Sequence, residues 1–172
     1  ERLSGGNGDF GRRQRVSVGV SLGIEPTLEA LLDKVSHRID EGYGRVKLKI
    51  KPGWDVAVVY AVRHRWPNLP LQVDANAAYG LSDASIIREL DRFDLLLIEQ
   101  PFHHEDIVDH ARLQAQLQTP LCLDESIHSP EHARWALEID ACRVINIKVG
   151  RVGGLTAARE IHDCCEERGF PV

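Results

Sequence analysis

Lysine is scarce in this chain. Of its 21 basic residues only Lys34, Lys47, Lys49, Lys51 and Lys148 are lysine; the rest are arginine. A generic surface cation is therefore arginine here, and the cluster "RVKLKIK", with three of the five lysines, asks for another role. Arginine keeps its proton in proteins, whereas lysine can be tuned into a base. A surplus of positive charge is also missing: the net charge is -5, against a nucleic-acid partner. No run of about 18 apolar residues occurs, which excludes a hydropathic membrane helix. The four cysteines (Cys122, Cys142, Cys164, Cys165) lack a CxxC spacing, so reduced thiols of a cytoplasmic protein are expected rather than zinc ligands or a disulfide framework. No GxGxxG stands at a strand–helix turn, which removes support for a dinucleotide fold. The polar, glycine-rich opening lacks the apolar centre of a signal peptide, and residues 1–14 are expected to be a linker from an upstream domain.

What is present is an alternation of strand and helix. Strand patterns in "RVSVGVSL", "RVKLKI", "LQVDAN", "DLLLIEQP", "PLCLDES" and "RVINIKV" are each followed by a helical one. Leu28, Leu31, Leu32, Val35 and Ile39 recur at helical spacing in the first helix, and Gly42 stands at its C-terminal cap position. The final "FPV" reads as the start of a seventh strand. Six βα units imply a parallel sheet, either open and doubly wound or closed as a barrel.

The spacing favours the barrel. Lys49, Asp74, Glu99, Asp124 and Lys148 each end a strand pattern, at intervals of 25, 25, 25 and 24 residues. Units of near-constant length deliver these residues to one height, and the C-terminal strand ends of a (β/α)8 barrel converge on one site. A full barrel takes about 250 residues. Residues 15–172 are thus expected to form a truncated TIM-type barrel of about six βα units plus the start of strand seven.

Strand alternation sends Val46, Leu48 and Ile50 towards the helices and Lys47 and Lys49 inward. It likewise sends Asp74, Asn76, Asn146 and Lys148 inward. Ionisable groups in a barrel interior need partners or a metal. Three carboxylates without histidine or cysteine suit a hard divalent cation, Mg2+ or Mn2+ in its place. Lys49 and Lys148, on strands two and six, flank that trio, an arrangement suited to removing a proton α to a metal-bound carboxylate. A charged Lys47 about 6.7 Å along the strand from Lys49 repels it by about 2.5 kcal/mol at an effective dielectric near 20. That lowers the Lys49 pKa by about 2 units from its usual value near 10.4. Lys51 is expected to be solvated at the strand exit. "GRVGG", residues 150–154, is expected to be a tight βα turn, His103–His104 an exposed loop pair, and the other six histidines surface residues.

"KLK", "DAN", "IEQP", "LDES" and "NIKVGRVGG" on successive strands together resemble the enolase superfamily, most closely its muconate-lactonising subgroup. Within it, "GYGRVKLKIKPGWD" and "INIKVGRVGG" are similar to the o-succinylbenzoate synthase and N-acylamino acid racemase group. The resemblance implies Lys49 and Lys148 as the acid–base pair with Lys47 as helper, and Asp74, Glu99 and Asp124 as Mg2+ ligands. Asn76 and Asn146 stand beside them as substrate or supporting contacts. It implies a carbon–oxygen lyase that forms o-succinylbenzoate in menaquinone biosynthesis, with racemisation of N-acylamino acids as the rival activity. It also implies a capping domain from both chain ends, a small carboxylate substrate and a homo-oligomer at full length. A Schiff-base aldolase on Lys148 leaves the three acids unexplained; an inactive, binding-only fragment is the remaining alternative.

Overall fold

A computed structural model describes residues 18–172. The expected linker and Arg15–Ser17 of the first strand pattern lie outside the described residues. Six strands alternate with six helices: β1 (Val20–Leu22), α1 (Leu28–Asp40), β2 (Val46–Lys49), α2 (Val56–Arg65), β3 (Leu71–Asp74), α3 (Ala84–Leu90), β4 (Ile98–Glu99), α4 (Ile107–Gln114), β5 (Leu121–Leu123), α5 (Pro130–Glu138), β6 (Val144–Ile145) and α6 (Leu155–Glu167). All strand pairs are parallel, in the order β1-β2-β3-β4-β5-β6.

Local signals set the helix ends. Thr27 caps α1 by accepting from the Ala30 amide at 3.1 Å, and Gly42 turns the chain after it at φ 92°. Ser129 caps α5 ahead of Pro130, whose missing N–H loses nothing in a first turn. Gly154 starts α6 at φ 115°, a left-handed value that the tight turn after β6 needs and glycine supplies. The "GRVGG" stretch is thus a βα turn, closed by Arg151 and Val152 amides on the Lys148 carbonyl at 2.8 and 3.1 Å.

The core lies between the sheet and the helix layer. Val46, Leu48, Val73, Ile98, Leu121, Leu123 and Ile145 pack outward on Val35, Val59, Val62, Ile87, Leu113, Ala136 and Ile161, all essentially buried. Arg63 on α2 fastens two loops, donating to the carbonyls of Phe93, Pro67, Leu69 and Asp94 at 2.8–3.0 Å. The inner face is polar, and Lys47, Gln72, Glu99, Cys122 and Asn146 line a trough of about 440 Å3.

Register shows why the site residues recur every 25 positions. Hydrogen-bonded partners are offset by 25 residues at β2–β3 and at β3–β4, but by 23 at β4–β5 and 22 at β5–β6. The partner line from Lys49 therefore runs through Asp74 and Glu99 to Cys122 and Val144, four residues short of Lys148. Four strand steps in a barrel of shear 8 demand about four residues of stagger. The repeat cancels the stagger and keeps the polar residues level at the mouth.

Two strand ends differ from expectation. β6 stops at Ile145 rather than Val149, because the chain turns at Lys148; only the Asn146 amide still bonds the Leu123 carbonyl, at 2.9 Å. Residues 170–172 form no strand, although the Ile145 amide donates to the Pro171 carbonyl at 3.3 Å. Pro70 and Pro120 make the same contact one residue before β3 and β5, accepting from Val46 and Ile98 amides at 3.0 and 2.9 Å.

Candidate active site

At the C-terminal strand ends, Asp74, Glu99 and Asp124 are 1%, 2% and 3% exposed. Their oxygens meet cations. Lys47 Nζ lies 2.8 Å from Glu99 Oε2 and 3.0 Å from Asp74 Oδ2. Lys49 Nζ lies 2.7 Å from the same Asp74 oxygen and also donates to Asn76 Oδ1. Sharing one oxygen draws the two ammonium groups closer than the ~6.7 Å of two residues along a strand. At the other end, Lys148 Nζ lies 3.2 Å from Asp124 Oδ2, and Arg151 Nη1 2.5 Å from Asp124 Oδ1. The order along the mouth is Lys49, Asp74, Glu99, Asp124, Lys148, with a lysine at each end.

Electrostatics follow from the pairing. Burial opposes the charge of Lys47, but Glu99 and Asp74 outweigh it and hold the ammonium above the ordinary lysine range. Burial alone would raise the Asp74 carboxyl; the Lys49 hydrogen bond and the Lys47 charge reverse this and hold it below the ordinary range. Lys47, Lys49, Lys148 and Arg151 supply counter-charge to the three carboxylates within the protein. The carboxylates are also not drawn together. Among the described residues, the one acid–histidine group with ligand atoms all within 4.8 Å is the exposed set His162, Asp163 and Glu166 on α6. The donor set at the mouth nevertheless fits a hard divalent cation: three buried carboxylates on consecutive strands, with neutral oxygen and nitrogen ligands absent from those positions.

The two asparagines tie the site laterally. Asn146 Nδ2 donates to Glu99 Oε1 at 2.9 Å, and Asn76 Nδ2 to Glu125 Oε1 at 2.9 Å. Lys51 is exposed, as expected of a strand exit. All four cysteines are free; burial pushes the Cys142 thiol up to about 12 and that of Cys165 up to about 11.

Three contributors escaped the sequence argument. Gln100 is fully buried, and its amide is saturated. Its Oε1 accepts from the Asp124 and Ser126 amides at 3.0 and 3.1 Å, and its Nε2 donates to Ser126 Oγ and the Phe102 carbonyl at 2.7 and 3.1 Å. It sits at φ 39°. An uncharged amide at the end of an apolar strand was the available signal. Arg151 was visible only as part of a turn, yet it grips Asp124 through both carboxylate and carbonyl. His110, expected at the surface, is fully buried. Its Nε2 accepts from the Phe102 amide at 3.3 Å, which makes Nδ1 the protonated nitrogen that donates to the Asp106 carbonyl at 2.8 Å. Helical spacing was the available signal, since position 110 shares the inward face of α4 with Leu113 and Gln114.

Residues 30–172 match the model of the enolase C-terminal domain-like family. The chain is 55% identical over 162 residues to an o-succinylbenzoate synthase of Geobacillus kaustophilus, covering 94% of this chain and 43% of that protein. It is 53% identical over 161 residues to an N-succinylamino acid racemase of Amycolatopsis sp, covering 93% and 44%. The chain thus spans less than half the length of these curated relatives. Among solved structures, a protein from Enterococcus faecalis V583 described as an unknown member of the enolase superfamily superposes with a TM-score of 0.85 at 49% identity, covering 88% of this chain and 41% of that one. A dipeptide epimerase from the same organism, complexed with Mg and the dipeptide L-Leu-L-Tyr, gives 0.84 at 28%, covering 90% and 45%.

Proposed function

The chain belongs to the enolase C-terminal domain-like family, and on that premise we propose that it carries the proton-transfer face of an enzyme that removes a proton α to a carboxylate. The reaction is o-succinylbenzoate formation by dehydration of 2-succinyl-6-hydroxy-2,4-cyclohexadiene-1-carboxylate. The observation that carries the proposal is the placement of Lys49 and Lys148 at opposite ends of the buried row Asp74, Glu99 and Asp124.

Asp74, Glu99 and Asp124 would hold Mg2+. When bound, the ion supplies positive charge against the negative charge that develops on the substrate carboxylate. Lys49 takes the α-proton on Nζ. Lys47, held charged by Glu99 and Asp74, stands beside Lys49 on the Asp74 oxygen they share, as its helper. The proton passes from Lys49 to the departing hydroxyl, so water leaves and the ring becomes aromatic. Lys148 remains a cation beside the substrate. A small carboxylate substrate, a cytoplasmic location and a homo-oligomeric full-length protein belong to the same proposal, and four unbridged thiols support the location.

The two-lysine arrangement favours one further reading, racemisation of N-succinylamino acids, in which Lys49 and Lys148 each serve one face of the α-carbon. The test is turnover of both substrates by the polypeptide that carries this chain in its complete context, with and without chelator. The synthase reaction is expected, lost on chelation and restored by Mg2+. Racemase turnover alone would overturn the first reading, and chelator-resistant turnover would overturn the metal assignment.

A further inference from the structure

A short hydrogen-bonded chain leads from Lys49 to Glu125, an acid outside the row of three carboxylates. Lys49 Nζ donates to Asn76 Oδ1, and Asn76 Nδ2 donates to Glu125 Oε1 at 2.9 Å. The backbone holds the middle link in place. Asn76 stands in the left-handed region at φ 43°, which asparagine adopts more readily than most residues. Its own amide donates to Asp74 Oδ1 at 3.0 Å, and the Ala75 and Ala77 amides on either side donate to the Glu99 and Gln100 carbonyls at 3.0 and 2.8 Å. Glu125 Oε2 is buried without a hydrogen-bond partner among the described residues, so within them the carboxylate is held by the Asn76 amide.

On the reading that Lys49 is the base, we infer that Glu125 is a positioning residue that fixes the direction of the Lys49 lone pair through Asn76. An asparagine amide has an acceptor at one end and a donor at the other, and either end fits the same space. A carboxylate only accepts. Glu125 therefore turns Nδ2 towards itself and leaves Oδ1 for Lys49. The consequence lies in the free amine, the form that takes a proton. Neutral Nζ carries two hydrogens and one lone pair. Asp74 Oδ2, 2.7 Å away, and Asn76 Oδ1 accept the two hydrogens. The lone pair is left in the remaining tetrahedral position, on a side chain still 31% exposed, where the α-proton of a substrate can meet it. The reversed amide would place an Nδ2 hydrogen on Nζ and block the lone pair. A free amine accepts hydrogen bonds more strongly than it donates them, so without a carboxylate at position 125 the blocked orientation is the favoured one.

The test takes the complete enzyme in saturating MgCl2, with the cyclohexadiene carboxylate as substrate, and measures kcat and KM separately. Glu125→Gln keeps the shape but frees the Asn76 amide, because glutamine both donates and accepts. A fall in kcat of at least about tenfold is expected with KM held within about twofold, since alignment at the reacting atom is lost and binding is not. With substrate deuterated at the carbon α to its carboxylate, the isotope effect on kcat should rise as proton transfer becomes the slow step. In an Asn76→Ala background the same Glu125→Gln change should alter kcat by less than about twofold, because no amide is left to orient. Lys49→Met tests the underlying reading and should abolish turnover. A Glu125→Gln enzyme as fast as the unmutated one, beside an inactive Lys49→Met, would overturn this inference alone. So would an equal fall in kcat in both backgrounds, which would make Glu125 merely structural. An active Lys49→Met would overturn the assignment of the base itself.

Discussion

Gln100 offers a strong test of how the site is held. Gln100→Leu keeps the volume and removes every polar contact of the side chain. The Asp124 and Ser126 amides lose their acceptor in a buried setting, and the Phe102 carbonyl loses its donor. Each orphaned buried group costs about 1–3 kcal/mol, partly offset by the apolar character of leucine. A net loss of about 4 kcal/mol is expected, a large share of the 5–15 kcal/mol typical of a folded domain. Urea unfolding measures the loss, and amide hydrogen exchange locates it: Asp124 and Ser126 should lose protection before the rest of β5. Gln100→Glu separates the two halves of the side chain. Its oxygens still accept from both amides but it cannot donate to Phe102, and its charge faces Glu99 and Asp124, so stability falls while amide protection survives. A Gln100→Leu loss below about 1 kcal/mol with both amides still protected would refute the assigned role.

Other outcomes follow from the same contacts. Lys148→Met should shift the unfolding midpoint little, because that ion pair is half exposed and Arg151 still neutralises Asp124. It should lower turnover of the complete enzyme at least about 100-fold, and unchanged turnover would remove Lys148 from the mechanism. Lys47→Met should act on stability as well, with a loss on the order of 3 kcal/mol from the two buried carboxylates it leaves; urea titration measures it. His110 is held neutral, its pKa lowered by burial. Its contribution is complete above the unfolded value near 6.5. As pH falls below that value the unfolded chain binds a proton that the folded state resists, and stability drops by up to about 1.4 kcal/mol per pH unit. His110→Gln should flatten this part of the profile; an unchanged slope would count against it. Arg63→Ala should cost about 2–4 kcal/mol in urea unfolding by freeing four loop carbonyls.

The strand–helix order and the inward lysines and acids were legible because each rests on a local pattern: alternation for Lys47 and Lys49, helical spacing for Leu31 and Val35, unit length for the 25-residue recurrence. The ion pairs were not legible, since Lys47 meets Glu99 across 52 positions of sequence. The counter-charges of the acids arrive from β2 and from the turn after β6. Arg151 looked like a loop residue because only the fold brings it to Asp124. His110 failed because its residue type suggested water, while its place beside Leu113 and Gln114 on α4 and its partner, the Phe102 amide from the preceding loop, fix it in the core.

The prolines before β3 and β5 have a mechanical consequence. Pro70 and Pro120 offer the preceding strand an acceptor but have no hydrogen to donate. A strand keeps its buried face only if it slips by two residues at a time. Pushed forward by two, β3 would bring Pro70 to the rung now filled by the Gln72 amide, and a buried rung would go unmade. The same stop acts on β5. Such a slip would carry Asp74 or Asp124 about 6.7 Å along the strand, beyond hydrogen-bond reach of the lysines. Two residues without any chemistry of their own thus act as depth gauges for the acids at the mouth.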